Sequence, residues 1–165
     1  MIAIQVQDVK VFMSNLLVHN MFDEFLMSEM DLSMAQTFHI DGSLNMGWFS
    51  TDELEGLEGR KLAKWLEVKP IAYHIIKGQK TPSSFKIVFQ LNHTQLTKLV
   101  SNSGASLTEN DVNGLFMNVK YEKGGLTIIT GSSLKVFTMD KSLDNFWDDT
   151  VKQFLRKYQI AFTEE

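Results

Sequence analysis

The stretch LFMNVKYEKGGLTIIT, residues 115–130, predicts an antiparallel β-hairpin. Apolar residues occupy every second position from Leu115 to Tyr121, as a strand with one buried face requires. Gly124-Gly125 supplies the positive φ angles of a tight turn, and residues 126–130 return along the first strand. The hairpin therefore indicates a sheet with one apolar face.

Further strands and helices are predicted on either side of this hairpin. The predicted strands cover residues 2–6, 22–34, 35–41, 84–91 and 134–139. Two predicted helices begin after the N-caps Asp8 and Asn92. Four further predicted helices cover residues 52–57, 60–67, 70–77 and 143–158. Helix 70–77 would start at Pro70 and end before Gly78. Its β-branched isoleucines leave a strand over the same residues as the alternative. Helix 143–158, capped by Ser142, is the strongest helix prediction, and its apolar face is formed by Leu143, Phe146, Trp147, Val151, Phe154, Leu155 and Tyr158. Together these elements predict an α+β fold, an antiparallel sheet packed by helices, in a single globular domain over 1–165.

Two segments of the chain resemble each other. FHIDGSLNMGW (38–48) and FTMDKSLDNFW (137–147) are identical at five of eleven positions. The resemblance suggests a pseudo-duplication of β-α-β-β units over about 1–49 and 84–158, joined by a basic segment, 60–83. The alternative to a duplication is that the similarity arises by chance or from residue preferences common to strand-to-helix junctions. Processivity clamps that encircle DNA are also built from two such units in succession. This likeness is one of element order alone, without a shared sequence motif.

Longer stretches of the chain are typical of a family. These stretches are TFHIDGSLN (37–45), IIKGQKTPSSFKIV (75–88), NVKYEKGGLTIITG (118–131) and SLKVFTMDKSLDNFWDD (133–149). The chain resembles an uncharacterised bacterial family of domains of unknown function of about this length, and the resemblance covers nearly all of it. It implies no activity, cofactor or catalytic residue.

Composition limits the function classes. The chain has 165 residues, of which 44% are hydrophobic and 22% charged, as in an ordinary soluble globular domain. It contains no cysteine, which excludes a disulfide scaffold, a thiol nucleophile, a cysteine zinc site and an iron–sulfur cluster. The lack of cysteine fits a reducing compartment, so a cytoplasmic location is expected. The longest apolar run has four residues, and neither a membrane span nor a secretory signal is predicted.

No motif for catalysis or cofactor binding is present. The four histidines are dispersed without metal-ligand spacing. No nucleophile elbow occurs, and Asp148 and Asp149 are explained as surface charges in the first turns of a helix. The loop Lys77–Ser84 has lysines, a glycine and hydroxyls that suit a phosphate, but it lacks the phosphate-loop spacing. We therefore predict no cofactor and no metal.

Charge is distributed unevenly along the chain. Residues 1–59 hold ten acids and one base, a net of −9, whereas residues 60–86 hold seven bases and one acid, a net of +6. This basic block predicts an anion- or partner-binding face formed by Arg60, Lys61, Lys64, Lys69, Lys77 and Lys80. Its partner would be a nucleic acid or an acidic protein surface, and no membrane is expected. The alternative is that the block pairs with the acidic first third of the same chain.

The function is predicted by elimination. Without a catalytic constellation, the sequence favours a non-enzymatic cytoplasmic protein-interaction or accessory domain. The alternative is a nucleic-acid-associated domain that uses the basic block 60–86 in a clamp-like architecture, and an enzyme assembled from dispersed polar residues stays open. Five methionines within residues 13–34 indicate core filling, with an adaptable binding surface as the other interpretation.

Overall fold

The chain forms one eight-stranded antiparallel sheet in a computed structural model that describes residues 1–165. The strands are β1 (Ala3–Val6), β2 (Leu26–Ser33), β3 (Thr37–Asp41), β4 (Ala63–Lys64), β5 (Ser84–Gln90), β6 (Val112–Glu122), β7 (Gly125–Leu134) and β8 (Phe162–Glu164). The helices are α1 (Val9–Leu17), α2 (Thr51–Gly56), α3 (Trp65–Ile76), α4 (His93–Asn102) and α5 (Ser142–Lys157). Short 3₁₀ turns cover Met46–Trp48 and Glu109–Asp111. The strand order is β3-β2-β5-β6-β7-β1-β8, with β4 also paired to β2. The predicted α+β fold is confirmed.

Only one face of the sheet is buried. On β5, Phe85, Ile87 and Phe89 are buried, whereas Lys86 between them is exposed. Alternate residues of β6 and β7 join the same cluster of 31 buried residues. Helices α1, α3, α4 and α5 contribute to this cluster and therefore cover that face, while α2 has no buried residue. The opposite face is open to solvent.

Trp65 links the helical layer to the sheet. Its side chain is fully buried, and its indole Nε1 donates a hydrogen bond to the Leu16 carbonyl at the end of α1, at 2.8 Å. Its ring stands edge-on to Phe89 of β5, with the ring centroids 5.4 Å apart. A buried tryptophan needs a partner for its single donor. Trp65 therefore fixes α3 against both α1 and the sheet.

Helix α3 corrects two predictions. One helix covers 65–76, in place of separate helices over 60–67 and 70–77, and the strand alternative is wrong. Pro70 lies inside the helix and not at its first position. The helix begins at Trp65 because the Glu67 carboxylate accepts the Lys64 backbone N–H, at 2.9 Å. Pro70 is exposed, so its ring disturbs the solvent side and not the core.

The β6–β7 hairpin is confirmed, with a shifted turn. Lys123 (φ 52°) and Gly124 (φ 77°) adopt the positive φ angles, and Gly125 already pairs with Glu122. The predicted strand 134–139 is wrong, because β7 ends at Leu134 and the following residues lie outside any strand. The other edge of β7 is occupied by β1, which leaves no room for a third hairpin strand.

Helix α5 begins at Ser142, one residue before the predicted start at Leu143, so Ser142 is not its N-cap. The N-cap position is Lys141, and the Asp140 carboxylate accepts the Ser142 backbone N–H at 2.9 Å. Hydrogen bonding to Ser142 holds the pKa of the Asp140 carboxyl below its ordinary value. None of the helices is both long and apolar enough to cross a bilayer.

The pseudo-duplication is not visible in the sheet. The element order β-α-β-β does occur twice, as β1-α1-β2-β3 and as β5-α4-β6-β7. A twofold relation would place β1 beside β6, as β5 lies beside β2, yet β1 pairs with β7 and β8. The two similar segments also differ, since residues 38–41 belong to β3 whereas 137–140 belong to no strand.

Residues 43–62 leave the edge of the sheet as a protrusion, which we call the arm. Strands β3 and β4 lie end to end along β2, and the arm is inserted between them. An isolated bridge between Ser43 and Leu62 closes its base. Gly42 continues the edge, because its N–H donates to the Ser28 carbonyl at 2.8 Å and its own carbonyl accepts from Ala63 at 2.7 Å.

Gly42 tests the importance of this edge. A Cβ atom at residue 42 would lie 1.7 Å from the Met27 carbonyl oxygen, so the backbone would have to move. We expect Gly42→Ala to lower the free energy of unfolding by about 3 kcal/mol in urea denaturation. Gly47→Ala, in the arm with nothing within 4 Å of the added Cβ, is the matched control and should change little. Equal effects of the two substitutions would contradict the assignment.

Candidate functional site

A cleft lies between α4 and α5 on the helical side of the molecule. Its volume is about 490 Å³, and the segment between α1 and β2 closes it. Nine of its 16 lining residues are hydrophobic. The floor is formed by the bulky side chains Met21, Phe25, Leu91, Leu99, Phe146, Val151, Phe154 and Tyr158. The rim is formed by the polar side chains Asn20, Glu24, Gln95, Lys98, Asn102 and Lys157.

Helix α5 reaches this cleft with a second stripe of side chains. One stripe, which includes Leu143 and Leu155, is buried in the core. The neighbouring stripe, Phe146, Thr150 and Phe154, follows the spacing of four residues that keeps side chains on one helix face. These residues line the cleft and are half-buried. The predicted apolar face of this helix therefore serves two contacts.

Aromatic contacts hold the floor in place. The ring of Phe154 packs edge-on against Phe25 and Tyr158, with centroid distances of 5.3 Å and 5.2 Å. Phe25 in turn contacts Phe89 of β5, at 5.8 Å. Edge-to-face aromatic pairs at these separations are favourable beyond the burial of their area. The floor is thus continuous with the core and preformed.

The rim of the cleft carries uncompensated positive charge. No carboxylate lies within 4.0 Å of Lys98 or Lys157. The Nζ of Lys157 lies 5.5 Å from the centroid of the Tyr158 ring. Glu24 is the one carboxylate of the lining, and it pairs with Lys64 at 3.3 Å. The cleft therefore suits a ligand that is apolar and negatively charged.

Three of the six basic residues predicted to bind a partner form ion pairs within the chain. Arg60 pairs with Glu67 at 2.6 Å, Lys64 with Glu24 at 3.3 Å and Lys69 with Asp23 at 2.6 Å. The other three, Lys61, Lys77 and Lys80, carry no ion pair. The contacts of Lys64 and Lys69 agree with the alternative of pairing inside the chain.

Glu67 shows how local this pairing is. Partial burial opposes its ionisation, but the hydrogen bonds from the Arg60 guanidinium and the Lys64 backbone outweigh it. The pKa of Glu67 therefore lies below its ordinary value. Arg60 also donates to the Leu62 carbonyl, at 2.9 Å, and so braces the turn that leads into α3.

The loop Lys77–Ser84, whose residue types suit a phosphate, borders a second hollow. Lys80, Thr81 and Ser83 line it together with Gln36 and residues of β3 and α3, around a volume of about 510 Å³. All three loop residues are exposed, and the hollow has no buried aromatic floor. We therefore take the α4–α5 cleft as the candidate site.

The methionines of residues 13–34 support the core interpretation. Met21, Met27 and Met30 are buried in the core, and Met13 and Met34 pack against it. Among them only Met21 also lines the cleft.

The open sheet face carries a charged pair near its edge. His39 Nδ1 lies 2.6 Å from Asp31 Oδ1 across strands β3 and β2. The hydrogen bond to Asp31 raises the pKa of His39, and the charges of Asp31, Glu29 and Asp41 add to it. No group of three or more His, Asp or Glu side chains is arranged to hold a metal ion.

The sequence did not single out the cleft. Lys98 and Lys157 lie in different helices and belong to no motif, so only the fold brings them together. The one sequence signal for the cleft was the apolar face of α5, which is wider than packing against the core alone requires.

These features define an α+β fold that has its helices on one face of the sheet and an apolar cleft rimmed by lysines. Residues 15–163 match a family of unknown function, DUF5721, and the chain belongs to this family. The resemblance found in the sequence is thereby confirmed for the family. No curated protein matches the chain, and no solved structure matches it.

Lys69 tests whether the basic block is structural. Its side chain and that of Asp23 are each 14% exposed, and Lys69 also donates to the His19 carbonyl at 3.0 Å. Lys69→Ala would leave the largely buried Asp23 carboxylate without its cation, so we expect a loss of about 1–3 kcal/mol of unfolding free energy in urea denaturation. Lys61→Ala, at an exposed and unpaired lysine, should stay within about 0.5 kcal/mol. Equal losses would contradict the structural role of Lys69.

His39 allows a test by pH. Its raised pKa means that the folded state favours protonated His39, so this stabilisation is present below the pKa of an unfolded histidine. It is lost as the pH rises through the raised pKa. An NMR titration should give His39 a pKa above its ordinary value, and Asp31→Asn should lower it. An unchanged titration in that variant would refute the assigned cause.

Proposed function

We propose that the chain is a cytoplasmic, non-enzymatic interaction domain that binds an acidic segment of a partner protein in the α4–α5 cleft. The observation that carries this proposal is the combination of a preformed aromatic floor with two unpaired rim lysines, Lys98 and Lys157. A groove between two helices is the usual receptor for an amphipathic helix that inserts apolar side chains.

The size and chemistry of the cleft support binding. Its volume of about 490 Å³ lies within the range of specific ligand sites, and it can take two or three apolar side chains. Its single carboxylate, Glu24, is held by Lys64, and its one hydroxyl group outside the Tyr158 ring, that of Thr150, donates to the Phe146 carbonyl at 2.7 Å. The lining thus offers apolar contact and positive charge more than acid–base chemistry.

The nucleic-acid alternative has less support. A clamp-like nucleic-acid surface would need the basic block to stay free, and Arg60, Lys64 and Lys69 are engaged within the chain. Affinity for a phosphate backbone grows with the number of phosphates neutralised. Only Lys61, Lys77 and Lys80 of the block have no ion pair, and three lysines are a poor basis for such affinity, so we favour the cleft.

A labelled acidic peptide tests the proposal. The probe is a fluorescein-labelled amphipathic helix of about 16 residues with a tryptophan and two leucines on one face and glutamates beside them. We expect Lys98→Glu with Lys157→Glu to weaken binding about tenfold, because two attractions become repulsions. Fluorescence anisotropy measures the affinity, and Phe146→Ala should weaken it as well.

The control has the same change of charge elsewhere. Lys123→Glu with Lys135→Glu replaces two exposed lysines outside the cleft. This control should bind like the wild type at about 0.15 M salt. Absence of binding by the wild type, or equal weakening in both double variants, would overturn the proposal.

A further inference from the structure

The arm, residues 43–62, presents the most exposed tryptophan of the chain. Trp48 is 84% exposed, whereas Trp65 and Trp147 are 0% and 2% exposed. Met46 and Leu54, also in the arm, are 40% and 38% exposed. Large aromatic side chains on a protruding segment are typical anchors of protein interfaces. Leu57 is the one buried residue of the arm.

Local hydrogen bonds hold the exposed arm in a defined shape. Ser50 and Glu53 form a reciprocal capping box at the start of α2, with distances of 3.0 Å and 3.2 Å. The 3₁₀ turn places Trp48 by a hydrogen bond from its N–H to the Asn45 carbonyl, at 2.9 Å. A segment held in a defined shape loses less conformational entropy when it binds.

The charge of the arm is opposite to that of the cleft rim. Within the arm, residues 43–59 contain four acids, Asp52, Glu53, Glu55 and Glu58, and no base. The last three residues of the arm include two bases, Arg60, which pairs with Glu67, and Lys61, so the arm as a whole stays acidic. None of the four carboxylates of the arm has an ion pair, as is also true of Lys98 and Lys157. One chain therefore carries both an acidic segment with an aromatic anchor and a lysine-rimmed aromatic cleft.

We infer that the arm of one copy of this chain occupies the α4–α5 cleft of a second copy, with Trp48 on the aromatic floor and the α2 carboxylates beside Lys98 and Lys157. This inference rests on the proposed function and names the partner. In the structure Trp48 is exposed and does not line the cleft of its own chain. Reciprocal exchange would close a dimer, and one-way docking would build a chain of copies.

Sedimentation velocity of the full chain tests this inference. Over about 5 µM to about 500 µM the wild type should pass from monomer to a larger species. Trp48→Ala, and separately Lys98→Glu with Lys157→Glu, should stay monomeric over the same range. Ile71→Ala, at an apolar residue of α3 that is 54% exposed, is the control for loss of any surface apolar group and should associate like the wild type.

Mixing the two deficient variants gives a sharper test. Trp48→Ala keeps an intact cleft, and the Lys98, Lys157 double variant keeps an intact arm, so an equimolar mixture should form a heterodimer that neither forms alone. Association of the wild type should also shift the Trp48 fluorescence to shorter wavelength. The shift should be absent in Trp48→Phe, because the two other tryptophans are already buried.

The outcomes separate this inference from the proposed function. A wild type that stays monomeric while its cleft still binds the acidic peptide overturns the self-association alone. A wild type that neither associates nor binds the peptide overturns both. Association that survives in Trp48→Ala and in the lysine double variant also overturns the arm–cleft contact.

Discussion

Three long neighbouring strands, β5, β6 and β7, place their apolar residues on one side, and that side has to be covered. Phe89, Met117 and Ile128 are fully buried under the helices. An antiparallel sheet can leave its other face in water, so every core-forming helix lies on the same side. The connections that carry these helices must return to that side, and this crowding brings α4 and α5 close enough to form a cleft.

The cleft therefore forms because α5 packs one stripe of its side chains into the core and presents the adjacent stripe to α4. Its inner stripe, represented by Trp147 and Val151, fills the core, and the Trp147 indole donates to the Phe116 carbonyl of β6 at 3.0 Å. This anchoring fixes the rotation of the helix. The adjacent stripe with Phe146 and Phe154 must then face α4, where it remains half-buried. Apolar residues that the fold positions but does not fully cover are available for a ligand.

Local pattern predicted the parts of the fold that depend on local chemistry. The β6–β7 hairpin, the α1 cap at Asp8 and the position of α5 to within one residue follow from alternation, capping and helix periodicity. Errors occurred where a distant segment decided the outcome: β1 takes the edge of β7 that a third strand would have used. The candidate site depends on such distant contacts throughout. Of the lysines predicted to bind a partner, Lys64 and Lys69 instead pair with Glu24 and Asp23, which precede them by about forty residues.

The edges of the sheet explain why association would use side chains and not strand addition. An open edge invites pairing with another chain, and proteins limit this with short strands and charged residues. Here β8 has three residues, and the opposite edge is divided between β3 and β4 by the arm. His39 and Asp41 add polar, exposed side chains to β3. The insertion that interrupts the edge also carries Trp48 away from the sheet, so the same segment discourages edge pairing and presents an exposed aromatic side chain.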